Sequence, residues 1–123
     1  MKAFLPLLLI VLISSCQEPA RDCEQFHTGT FRFTAMVGDT EETTLFTRTG
    51  DLEISQFKGM TDSASVRWIN PCEYIVTNLN PDSREDEKSI HMKILSTTDT
   101  SYTFEYKLVG SPQGSRGTAY KTD

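Results

Sequence analysis

The sequence predicts an all-β domain, an antiparallel up-and-down meander of about eight strands closing as a small barrel or folding as a sandwich. Three observations carry that prediction. Past residue 28, apolar and polar residues alternate at period two, the mark of a half-buried strand. Turn-forming clusters interrupt the alternation roughly every 8–12 residues. The chain is 123 residues long, which leaves room for one domain with one modest core.

The strands follow in order. "GTFRFTAMV" places Phe31, Phe33, Ala35 and Val37 on one face and Thr30, Arg32 and Thr34 on the other. Strands near 43–49 and 52–58 come next, across the turn signals "VGDTEE" and "RTGD". The second of these breaks parity between Ile54 and Phe57, so a bulge or an early end is expected. "SASVRWIN", near 63–70, pairs Val66 with Trp68 on one face. The strand near 72–79 has apolar residues of both parities, Tyr74 and Val76 against Ile75 and Leu79. "KSIHMKIL", within 88–97, groups Ile90, Met92 and Ile94 opposite His91 and Lys93. "SYTFEYKLVG", near 101–109, groups Tyr102, Phe104, Tyr106 and Leu108, and a last strand lies near 116–121. The polar segment 80–89 reads as a solvated loop or a single helical turn. Its carboxylates, Asp82, Glu85, Asp86 and Glu87, lack the glycine and spacing of a calcium loop.

Ahead of the strands, Lys2 precedes an apolar run from Ala3 to Ile13 that contains Pro6. A bilayer-spanning helix needs about 20 apolar residues, and this shorter run fits the h-region of a secretory signal. Ser14 and Ser15 before Cys16 look like a bacterial lipobox, although Ile13 stands where leucine is usual. The expected division is a signal peptide over 1–15, a lipidated tether over 16–27 and a β domain over 28–123. Lipid on Cys16 would then hold the domain to a membrane of the cell envelope, on the periplasmic or outer-membrane side. More than one acyl chain is needed for a stable anchor. The six residues Gln17 to Asp22 reach about 20 Å at most, so the domain would stay near the lipid surface.

Export also places the domain where disulfides persist. With Cys16 acylated, Cys23 and Cys72 remain, and the simplest reading is one bridge between them. Closing a loop of about 50 residues is worth on the order of 4 kcal/mol in the chain-entropy model. The rival reading is a metal site in which His27 and His91 join the two cysteines, but the spacing is not that of a structural zinc site. No metal or cofactor is expected.

Removing the leader with Lys2 takes the net charge from −5 to −6, with 17 acidic residues and scattered basic ones. Phosphate recognition requires clustered Lys and Arg, so nucleic acid is excluded as a partner, and lipid alone would do the holding. A nucleophile needs a base and an orienting group. With the cysteines consumed, no such set is found, and no G-x-S-x-G or G-x-x-x-x-G-K motif is present. The chain therefore reads as a non-catalytic binding or structural protein engaging an envelope partner through an edge strand or loops. The alternative is lipocalin-like binding of a small apolar ligand. Phe31, Phe33, Trp68, Tyr74, Phe104 and Tyr106 would then line a cavity, or else simply fill the core.

Four stretches, "HTGTFRF", "TDSASVRWINPCEY", "SIHMKIL" and "SYTFEYKLVG", resemble a family of small bacterial lipoproteins without an assigned function. "SVRWINPCEY", with Trp68, Cys72, Glu73 and Tyr74, carries most of the specificity, and the resemblance spans nearly the whole chain past the leader. Some members carry the name DNA topoisomerase IV. Strand passage needs an ATPase module, a tyrosine beside a metal-binding acidic cluster and a large gate, and an acidic, exported domain of about 108 residues has room for none of them. The resemblance implies no catalytic residues.

Overall fold

A computed structural model describes residues 21–84 and 87–123. Cys16 and the apolar leader lie outside the described residues, as do Glu85 and Asp86. Eight antiparallel strands close into a barrel in sequence order: β1 Gly29–Val37, β2 Thr40–Thr49, β3 Leu52–Phe57, β4 Met60–Asn70, β5 Glu73–Asn78, β6 Ile90–Thr97, β7 Ser101–Leu108 and β8 Ser115–Lys121. The choice between barrel and sandwich is thus decided for the barrel. Closure leaves no fully free sheet edge, which removes the edge strand as the simplest route to a partner. The closing pair, β1 with β8, is the shortest, with three paired residues from Phe31 to Phe33; β1 and β2 share nine.

Two strands start earlier than the sequence predicts, at Thr40 rather than 43 and at Met60 rather than 63. The reason is the economy of the turns. Lys58 and Gly59 alone join β3 to β4, with φ of 49° and 75°. Positive φ at both central positions is the hairpin geometry whose twist matches that of the strands. The parity break in β3 is no bulge: its pairing runs without a shift from Leu52↔Ser65 to Phe57↔Met60, and the strand simply ends at Phe57. Ile54 faces outward and is exposed, while Glu53 and Ser55 face inward. Register shifts occur instead in β4, between Trp68 and Asn70, and in β6, between Ile94 and Ser96.

The barrel has two unlike ends. At the base, the 3-10 helix Glu24–Phe26 plugs the opening, and Phe26 is completely buried. Cys23 and Phe26, placed in the tether by the sequence reading, are therefore part of the core. Cys23 is bridged to Cys72, 49 residues away and in the β4–β5 turn, with their Cα atoms 5.3 Å apart. This bridge pins the plug to the wall. Phe26 packs on Tyr102 with ring centroids 5.2 Å apart, and Phe31, Tyr74, Ile94 and Ala119 complete the buried cluster. Across the outer wall, threonines face each other in pairs: Thr30 with Thr47, Thr34 with Thr43 and Thr103 with Thr118. Each such cross-strand pair contributes a few tenths of a kcal/mol, up to about 1. The opposite end, the mouth, carries the β1–β2 and β3–β4 hairpins, the described residues 79–84 and 87–89, and the loop 109–114.

Candidate functional site

The inward face of β2 carries Thr44, Phe46 and Arg48, because Phe46 pairs with the inward Phe31 and the side chains alternate. Arg48 is only 1% exposed. A buried charge must be paired and hydrogen-bonded, and here it is. Its Nε donates to Glu53 Oε2 at 3.0 Å and its Nη1 to the Phe26 carbonyl at 2.6 Å. Its Nη2 donates to the hydroxyls of Tyr74 and Tyr102, at 2.9 and 3.2 Å. The guanidinium also lies 4.7 Å from the Tyr74 ring centroid and 5.2 Å from that of Phe31, within cation–π range. Burial alone would lower the Arg48 pKa. The Tyr74, Tyr102 and Glu53 oxygens outweigh it and hold the group above its ordinary value. Burial first, and Tyr102 next, push the Tyr74 hydroxyl well above its ordinary value, with Arg48 opposing.

Arg48 and the two tyrosines form a floor. Above it the barrel is hollow. A cavity of about 240 Å3 rises from the floor between Phe33, Phe46, Val76, Met92, Phe104 and Tyr106. A second, more polar hollow of about 370 Å3 meets it along Glu53, Ser55, Val76 and Ile90 and reaches Asp62 and Asn78 toward the mouth. Gly117 shapes the aromatic wall: a Cβ at this position would collide with the Phe33 ring and touch Phe104. At this site the missing side chain gives the ring its space.

The six aromatics named from sequence divide between the two ends. Phe31 and Tyr74 are fully buried at the base. Phe33, Phe104 and Tyr106 line the hollow. Trp68 does not line it; it is half-buried near the base, stacked on His27 with centroids 3.6 Å apart and tilted on Tyr74 at 4.4 Å. The metal reading fails because both thiols are spent in the disulfide. His27 Nε2 lies 2.8 Å from the Pro71 carbonyl. His91 Nε2 lies 3.2 Å from Glu73 on the outer wall. No group of three or more potential metal-binding side chains occurs among the described residues. Sequence reasoning missed Arg48, Glu53 and Phe26. The signal for Arg48 was present: it shares parity with Phe46 in "LFTRT".

Fold and lumen together define a closed, up-and-down eight-stranded barrel, plugged and filled at one end and hollow at the other, the architecture that lipocalins also use. No family model, curated protein or solved structure matches this chain.

Proposed function

We propose that the hollow is a binding site for a small, largely apolar molecule, carried by a non-catalytic, lipid-anchored domain of the cell envelope. One observation carries the reading. Phe33, Phe46, Met92 and Tyr106 are only half-buried, and all four line an internal space of about 240 Å3 above the packed cluster. A closed apolar cavity of about 150 Å3 is enough for benzene, whereas drug-sized ligands occupy about 300 Å3 or more. The apolar hollow therefore takes a single ring or a short aliphatic chain, with the polar hollow left for a head group. Titration with 2-phenylethanol, followed by methyl NMR, should move the Val76, Ile90 and Met92 signals. Ser55→Phe, which fills the hollow from β3, should abolish the response. Unmoved lumen signals at millimolar ligand would overturn the reading.

The leader supports the anchor. Its test is intact mass from membranes, with acyl chains on Cys16 expected and an unmodified thiol counting against it. The chain enters the barrel at the base, where Asp22 N–H donates to Thr97 Oγ1. A tether from Cys16 would therefore leave the mouth pointing away from the lipid. A second reading, docking of an envelope protein, has its own support. Met36, Val37, Met60, Leu79 and Val109 are all exposed, and all sit at the mouth. Crosslinking from membranes should capture the partner through this rim, and a Met60→Glu, Val109→Glu variant should lose it.

A further inference from the structure

Resting on the ligand reading above, we propose that the lumen selects small apolar amines over carboxylates of the same size and shape. A buried arginine below an apolar cavity would suggest an anion site, such as a fatty-acid carboxylate. The bonding around Arg48 argues the reverse. A guanidinium has five N–H donors, and four hydrogen bonds already hold this one: to Glu53, the Phe26 carbonyl, Tyr74 and Tyr102. Its charge is met by Glu53. An incoming carboxylate would find a single N–H left, on Nη1, whose other bond goes to the plug, and to gain more it would have to displace Glu53 in a buried site.

What the lumen still offers is an acceptor. Glu53 commits Oε2 to Arg48. Its Oε1 has no hydrogen-bond partner among the described residues. It is not sealed from solvent either, since no side-chain nitrogen or oxygen is both buried and unpartnered. Glu53 is 17% exposed in its side chain and lines both hollows. Its free oxygen therefore stands where the apolar and polar cavities meet. Asp62, at the mouth end of the polar hollow, adds a second carboxylate, and Lys88 a cation on the same rim. A donor head at Glu53 Oε1 would leave the ligand body against Phe33, Phe46, Met92 and Phe104. Those rings also attract a cation through their faces. A carboxylate head in the same pose meets a like charge at close range.

The test is calorimetric titration of the full chain with three matched probes, 2-phenylethylamine, 2-phenylethanol and 3-phenylpropionate. The amine should bind most tightly, and the carboxylate at least about tenfold more weakly. Glu53→Gln should bring the affinities of the amine and the alcohol together, read as the ratio of the two. Asp62→Asn, at the exposed rim, should reduce it less. Should Glu53→Gln fail to fold, the three probes on the unsubstituted protein still decide. Equal binding of all three, or tighter binding of the carboxylate, overturns the selectivity and leaves the ligand site standing. Binding of none overturns both.

Discussion

The base and the mouth of this barrel are built from the same strands and treat polar groups in opposite ways. At the base, Arg48 is fully enclosed and every bond it makes ends on a neighbour: the plug, the β3 wall and two tyrosines. Two residues further along the same strands, toward the mouth, the inward side chains border a hollow. Ile94 is completely buried on β6; Met92, on the same face, borders the cavity. The lesson is about where stability resides. The plug, the disulfide and the arginine cluster fix one end, and that fixed end lets the other stay hollow without collapsing.

Removing Arg48 is the hardest blow to that division. Arg48→Ala leaves Glu53 and two tyrosines without their partner, and loss of about 3–5 kcal/mol is expected, read as a lower urea midpoint. A loss under about 1 kcal/mol would mean that the base does not depend on this cluster. Reduction of Cys23–Cys72 comes next. It frees the plug from the β4–β5 turn and should cost about 3–4 kcal/mol, seen by comparing melts with and without a reductant. The change in mass on reduction should be two hydrogens.

A matched pair sharpens the contrast. Ile94→Ala should cost about 2–5 kcal/mol, as for a packed core. Met92→Ala removes a side chain that already borders empty space, and its cost should be less than half as large. Equal costs would show that the mouth is packed like the base. Gly117→Ala should displace Phe33 and cost about 1–3 kcal/mol by overpacking, with weaker binding of 2-phenylethanol alongside.

The smallest expected effects are those of pH, and they differ in sign at the two extremes. Tyr74 holds its proton more tightly folded than unfolded, chiefly through burial. Its contribution is fully present below its unfolded pKa of 10.0 and is lost as pH rises above that value. Tyr74→Phe should blunt the alkaline fall in urea midpoint. On the outer wall, the Asn70 side-chain hydrogen bond is the main cause lowering the Glu73 pKa, with His91 adding to it. That stabilisation is present above the ordinary value of 4.5 and fades as pH falls below it. For so exposed a pair it amounts to under about 1 kcal/mol, and Asn70→Ala should remove it.

Much of the barrel was legible in one dimension. Period-two runs and the turn clusters between them placed the eight strands, because a strand with one wet face must alternate, although β3 and β5 do not alternate cleanly. Turn clusters such as "VGDTEE" and "RTGD" marked hairpins, and the bridge between Cys23 and Cys72 was the simplest reading of the thiols with Cys16 set aside for lipid. Other features were hidden, for a common reason. Leu45 and Ile54 are apolar yet point outward, while Arg48 and Glu53 are charged yet point inward. Alternation gives two faces but does not say which one closes around the core. Phe26 lies outside any alternating run, so nothing local marks it as the plug.

Sequence alone indicated the local matters, the number and approximate places of the strands and the simplest pairing of Cys23 with Cys72, since each depends on residues close together or on simple arithmetic. The closed lumen, its sealed floor and its open carboxylate belong to the tertiary structure. They arise only when β2, β3, β5 and β7 surround one space and bring Arg48, Glu53, Tyr74 and Tyr102 within bonding distance. Contacts between residues as far apart as Arg48 and Tyr102 are properties of the ring of strands, and no single strand encodes them.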